Sequence, residues 1–96
     1  MKNGKLYTLY QMIIDNIMWE TTCRPLSIFS DLADANEELV DNMVELRKEG
    51  YTDAFGTTIP SVTRYMPDNS KVVNDFYAME KGDRILVHFV AESPVL

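Results

Sequence analysis

His88 is the chain's one histidine, and so the one side chain whose unperturbed pKa suits a general base near neutral pH; Cys23 is its one thiol. They stand far apart in the chain, and no serine or threonine is set beside a base in a pattern that marks a nucleophile. His88 lies within an apolar run, which favours a partly buried, hydrogen-bonded imidazole over a catalytic base. A zinc site needs clustered His, Cys and carboxylate ligands, and one His and one Cys do not supply them. Asp31, Asp34 and Glu37 lack the glycine and the alternating ligands of a calcium loop and suit the start of a helix better. Gly4, Gly50, Gly56 and Gly82 stand singly, so no phosphate-cradling loop is formed. No catalytic residue, metal or cofactor is therefore expected.

The carboxylates make the sharper pattern. Asp34, Glu38, Asp41 and Glu45 follow one another at steps of four, three and four residues, with Glu37 and Glu49 beside them and Lys48 as local compensation. On a helix such residues line one side about every 5 to 6 Å. Like charges at these spacings each cost about 0.2 to 0.5 kcal/mol, so helix stability alone would have mixed in more lysines. A solvated face is the plain account; a surface that pairs with the arginines and lysines of a partner is the functional one.

These side chains need elements to hold them. Leu6, Leu9, Tyr10, Ile13, Ile14 and Ile17 recur at helical spacing and predict a first amphipathic helix between Lys5 and Trp19, with Met12 and Trp19 forming a second apolar patch on its other side. Thr21 to Pro25 reads as a turn. A second helix follows, starting near Pro25 or with Ser30 as N-cap, facing its core with Leu32, Ala35, Leu39, Val40, Met43 and Leu46, and stopping at Gly50. Acids early and Arg47 and Lys48 late suit the helix dipole. Thr57 to Met66 reads as a short or edge strand because Pro60 lacks a ladder donor. Asp68, Asn69 and Ser70 offer caps for a short helix over Val72, Val73, Phe76, Tyr77 and Met79; a hairpin through Lys81, Gly82 and Asp83 is the competing reading. Ile85 to Ala91 is the best strand, apolar on both faces. The expected fold is a small single α+β domain over residues 1–96, with two N-terminal helices, then a short helix and a small β-sheet or hairpin at the C-terminal end.

The stretch from Ala54 to Tyr65, with Gly56 at the turn, resembles the turn and recognition helix of a helix-turn-helix, in which Thr58, Ser61 and Arg64 would face DNA. Gly50, Pro60 and the scarcity of flanking basic residues weigh against it. Fifteen acidic against nine basic residues give a net charge of -6, which repels a phosphate backbone. A composition of 46% hydrophobic and 25% charged residues argues against disorder. No apolar run reaches the roughly 18 residues of a membrane span, no signal peptide is evident, and a lone cysteine suits a reducing, cytoplasmic setting. In size and charge the chain resembles phage-encoded inhibitors of host nucleases or defence complexes. The leading expectation is thus a non-enzymatic protein-binding module that meets a basic surface through Asp34, Glu38, Asp41 and Glu45, with Met12 and Trp19 as apolar anchor. A DNA-binding regulator is the alternative. Apolar residues on more than one face of the first helix add the expectation of a homodimer.

Overall fold

A computed structural model describes residues 4–15, 17–18, 20–54, 70–73 and 77–94. The elements are β1 (Lys5–Asp15), β2 (Glu20–Phe29), α1 (Leu32–Lys48), β3 (Thr52–Asp53), β4 (Lys71–Val72), β5 (Tyr77–Lys81) and β6 (Arg84–Pro94). The strands form one antiparallel sheet in the order β2-β1-β6-β5-β3, and β4 pairs with β6 at Glu92 and Ala91, beyond the end of β5. The helix packs on one face of this sheet.

The expected pair of N-terminal helices is corrected to a hairpin followed by one helix. Residues 5 to 15 are a central strand, paired with β2 from Tyr7 to Asp15 and with β6 along its whole length. Both faces of β1 are covered: Leu9 packs with Ala35, Leu39 and Val90 beneath α1, while Tyr10 and Met12 join Ile85, Val87, Phe89 and Ala91 on the opposite face. A strand buried on both sides carries a nearly continuous apolar run, and over 11 residues that run also fills a helical arc. The β-branched and aromatic residues Tyr7, Thr8, Tyr10, Ile13 and Ile14 suit the pleated alternative. Of the residues assigned to the two apolar faces, Leu9, Tyr10 and Met12 are buried within the chain, whereas Ile17 is exposed.

The turn also sits earlier than expected. Asp15 Oδ1 accepts hydrogen bonds from the backbone N–H groups of Ile17 (2.9 Å) and Met18 (3.1 Å), closing β1 onto β2. Thr21 to Pro25 then lies inside β2. Pro25 is tolerated there because β2 is an edge strand and its register with β1 shifts between Leu9 and Tyr10.

The helix is the expected second helix. Asp31, not Ser30, is its N-cap, accepting from Ala33 N–H at 2.8 Å, and Gly50 follows it with φ +98°. Lys81 Nζ donates to the Glu49 carbonyl at 2.7 Å, so a cation meets the negative end of the helix dipole. Ala35, Leu39 and Leu46 are buried as expected, whereas Val40 is 49% exposed and is removed from the core face.

Near the C-terminus the hairpin prevails over the short helix. Tyr77 to Lys81 pair with Arg84 to His88 around Gly82, whose φ of +61° a residue with a side chain rarely adopts. Val72 belongs to β4 and Met79 to β5. The expected strand at Ile85 to Ala91 is present and lengthened to Pro94, with every residue from Ile85 to Ala91 buried. Tyr10 and Phe89 stack with ring centroids 5.3 Å apart. The expected strand at Thr57 to Met66 lies outside the described residues.

Candidate interaction surface and buried polar line

Solvent meets α1 on a side that combines charge with hydrocarbon. Asp34, Asp41 and Glu45 are exposed and Glu38 is partly covered, so the four form the expected row along one flank. Among the described residues only Glu45 of the four has a basic partner, Lys48 Nζ at 3.2 Å, and that pair is itself exposed. Val40 and Val44, one turn apart, are 49% and 47% exposed; helical spacing sets Val40 beside Glu37 and Val44 beside Asp41. An apolar arc on α1 that includes Val40 is too wide, and Val44 lies outside that arc altogether. At 100° per residue Val40 lies well away from the direction shared by Ala35, Leu39 and Leu46.

Of the apolar pair proposed with the carboxylates, only Met12 falls among the described residues. Met12 is fully buried in the face opposite α1 and reaches no partner. Trp19 lies outside the described residues, as do Thr58, Ser61 and Arg64. For the helix-turn-helix reading, the described neighbour of that segment is informative. Thr52–Asp53 pairs with β5 and Ala54 N–H donates to the Ala78 carbonyl at 2.9 Å, so a strand stands where the motif places its first helix. Among the described residues, the exposed large apolar side chains of the N-terminal hairpin are Ile17 and Met18 at its turn and Ile28 on β2.

Cys23 and His88 are not brought together. Cys23 packs against the cluster of Tyr10, Met12 and Phe89, and burial pushes its thiol pKa up, away from a reactive thiolate. His88 lies on the other face, beneath α1, between Leu86 and Val90 on β6. It is 1% exposed, and burial pushes its pKa down to about 4.

His88 belongs to a polar line that crosses three strands. Arg24 on β2 donates to Gln11 Oε1 from Nε (3.1 Å) and Nη2 (2.9 Å), and Gln11 Nε2 lies 3.1 Å from His88 Nε2. Strand register makes the line: Gln11 is opposite Arg24 on one side and opposite His88 on the other. Sequence patterning placed His88 in an apolar strand but had no means of finding its partners.

No protein-family model matches the chain, and no curated protein or solved structure does either. The class is therefore defined by the architecture itself, one helix laid on an antiparallel sheet, and a fold alone does not assign a function. Among the described residues no helix is long and apolar enough to cross a membrane.

Proposed function

We propose that this chain is a non-enzymatic protein-interaction module that applies the solvent side of α1 to a basic surface of a partner protein, in the manner of a small inhibitor occluding a nucleic-acid-binding groove. One observation carries the reading: a row of carboxylates at Asp34, Glu38, Asp41 and Glu45, with a single basic partner among the described residues, runs beside two exposed valines on a helix whose other side is fixed to the sheet. Carboxylates in a row supply steering and orientation to a cationic groove, and the valines supply apolar contact that charge alone does not. A helix held by two buried clusters presents both without a further ordering cost. A cytoplasmic setting accords with the single unpaired Cys23.

The test is an affinity capture from extract of the source cells with the tagged chain, followed by mass spectrometry and direct titration of each captured protein. A basic protein should bind, more weakly as salt rises. The triple variant Glu38→Lys, Asp41→Lys, Glu45→Lys should fold as the parent does and bind at least about tenfold more weakly, with a flatter salt dependence. Equal binding by the variant at low salt removes the α1 flank as the contact. A low-salt gel shift with duplex DNA covers the other class, since a DNA reader binds at least non-specifically there.

A further inference from the structure

Hydrogen-bond chemistry fixes the direction of the line through Gln11. A guanidinium has donors only, so the Gln11 atom that meets Arg24 must be Oε1, and the amide nitrogen is left to donate to His88 Nε2. His88 Nε2 is then an acceptor, and the neutral ring carries its proton on Nδ1. Nδ1 is buried, and no acceptor among the described residues reaches it. A second proton has to enter at Nε2, where it meets the N–H groups of Gln11. Turning the Gln11 amide over to receive it sets those N–H groups against Arg24 instead. No orientation of this amide satisfies Arg24 and an imidazolium together.

Among the described residues, the surroundings offer the imidazolium no anion. Its neighbours across the strands are Gln11 on β1, with Arg24 beyond it, and Tyr77 on β5. On α1, Leu39 and Leu46 are buried over this region, and Asn42 falls between them by helical spacing; Glu38, Asp41 and Glu45 occupy the flank. The two apolar clusters that hold α1 lie on either side of His88: Leu9, Ala35, Leu39 and Val90 towards one end, Leu46, Met79 and Leu86 towards the other. A charge placed between them must find water, and lifting α1 is the local opening that admits it. The cluster around Tyr10, Met12 and Phe89 is on the far face and is not disturbed.

We propose that Arg24, Gln11 and His88 form an acid-released latch, which keeps α1 seated on the sheet at neutral pH and frees it when His88 takes a second proton. The inference is independent of any partner. With His88 held at about 4 in the seated form and 6.5 in the open one, the open population should grow on the order of 100-fold between pH 7 and pH 4.

Nuclear magnetic resonance of the intact chain tests this. At pH 7 the His88 nitrogen shifts should report the Nδ1–H tautomer. On acidification, contacts of the Leu39 and Leu46 methyls with Val90 and Leu86 should fade as His88 titrates, while those between Tyr10 and Phe89 persist. Gln11→Glu puts an acceptor towards both neighbours; its His88 should titrate above 6.5, and α1 should stay seated to pH 4. If that variant fails to fold, Arg24→Met frees Gln11 to turn Oε1 towards His88, and the His88 midpoint should rise. An Nε2–H tautomer at pH 7, a protonated His88 under an undisturbed α1, or a His88 midpoint that neither variant raises would each overturn the latch.

Discussion

On the helix-facing side of β6, Glu92 takes Lys5 of β1 at 2.8 Å and Lys71 of β4 at 3.5 Å, with both lysines largely in water. A short way along the same face of the same strand, His88 takes Gln11 at 3.1 Å, with one ring nitrogen sealed from solvent. The Lys5 ammonium first, with its charge and that of Lys71, holds the Glu92 carboxyl below its usual range, so there the partner favours the charged form. Burial holds His88 below its usual range, so there the surroundings favour the neutral form. The lesson is that the same lowered pKa arises at the rim from a charge that is answered and in the middle from a charge that is refused.

The largest way to break this contrast is to open the cover over His88. Leu39 is 2% exposed and packs with Leu9 and Val90 beside it. Leu39→Ala should cost about 2 to 5 kcal/mol in urea unfolding, the range for truncating a buried leucine. Water reaching the middle of the sheet should also raise the His88 midpoint towards 6.5. A full loss of stability with no movement of that midpoint would show that Leu39 does not shield the imidazole.

Next in size is the response of the unaltered chain to acid. His88 has a lower pKa folded than unfolded, so between 6.5 and about 4 the unfolded chain binds more protons and stability rises with pH. Its contribution is complete above 6.5 and is lost as pH falls through about 4, to the extent of about 3 kcal/mol. Glu92, also lowered, keeps its contribution above 4.5 and loses it as pH falls through its folded value. Urea midpoints measured from pH 8 to pH 3 should therefore fall in two successive windows, the His88 window first. A flat profile from 7 to 4.5 would mean that the imidazole is hydrated.

What each element packs against decides how much of it the sequence alone reveals. The helix was legible because only one of its faces is buried and its ends are marked by Asp31, Arg47, Lys48 and Gly50. β6 was legible because residues apolar in both alternating sets, Ile85, Val87 and Phe89 with Leu86 and Val90, have few other places to go. β1 was not, because its apolar residues answer to β6 at the far end of the chain, and that pairing leaves no local mark. Pro25 misled for a related reason: it breaks a central strand, but β2 is an edge. The carboxylate row was found by spacing alone, whereas the line from Arg24 to His88 exists only once three strands are in register.

The smallest expected effect lies at the rim. Glu92→Gln keeps the shape of the side chain and removes the charge shared by Lys5 and Lys71. Because both ammonium groups can turn to water, the urea midpoint should move by a small fraction of the Leu39→Ala shift, and the difference should close in 1 M salt, where the screening length is about 3 Å. The variant should flatten the acid profile only below 4.5 and leave the His88 window as it was. A loss as large as that of Leu39→Ala, insensitive to salt, would mean that Glu92 is held away from water after all, and the two groupings would then differ in position and not in kind.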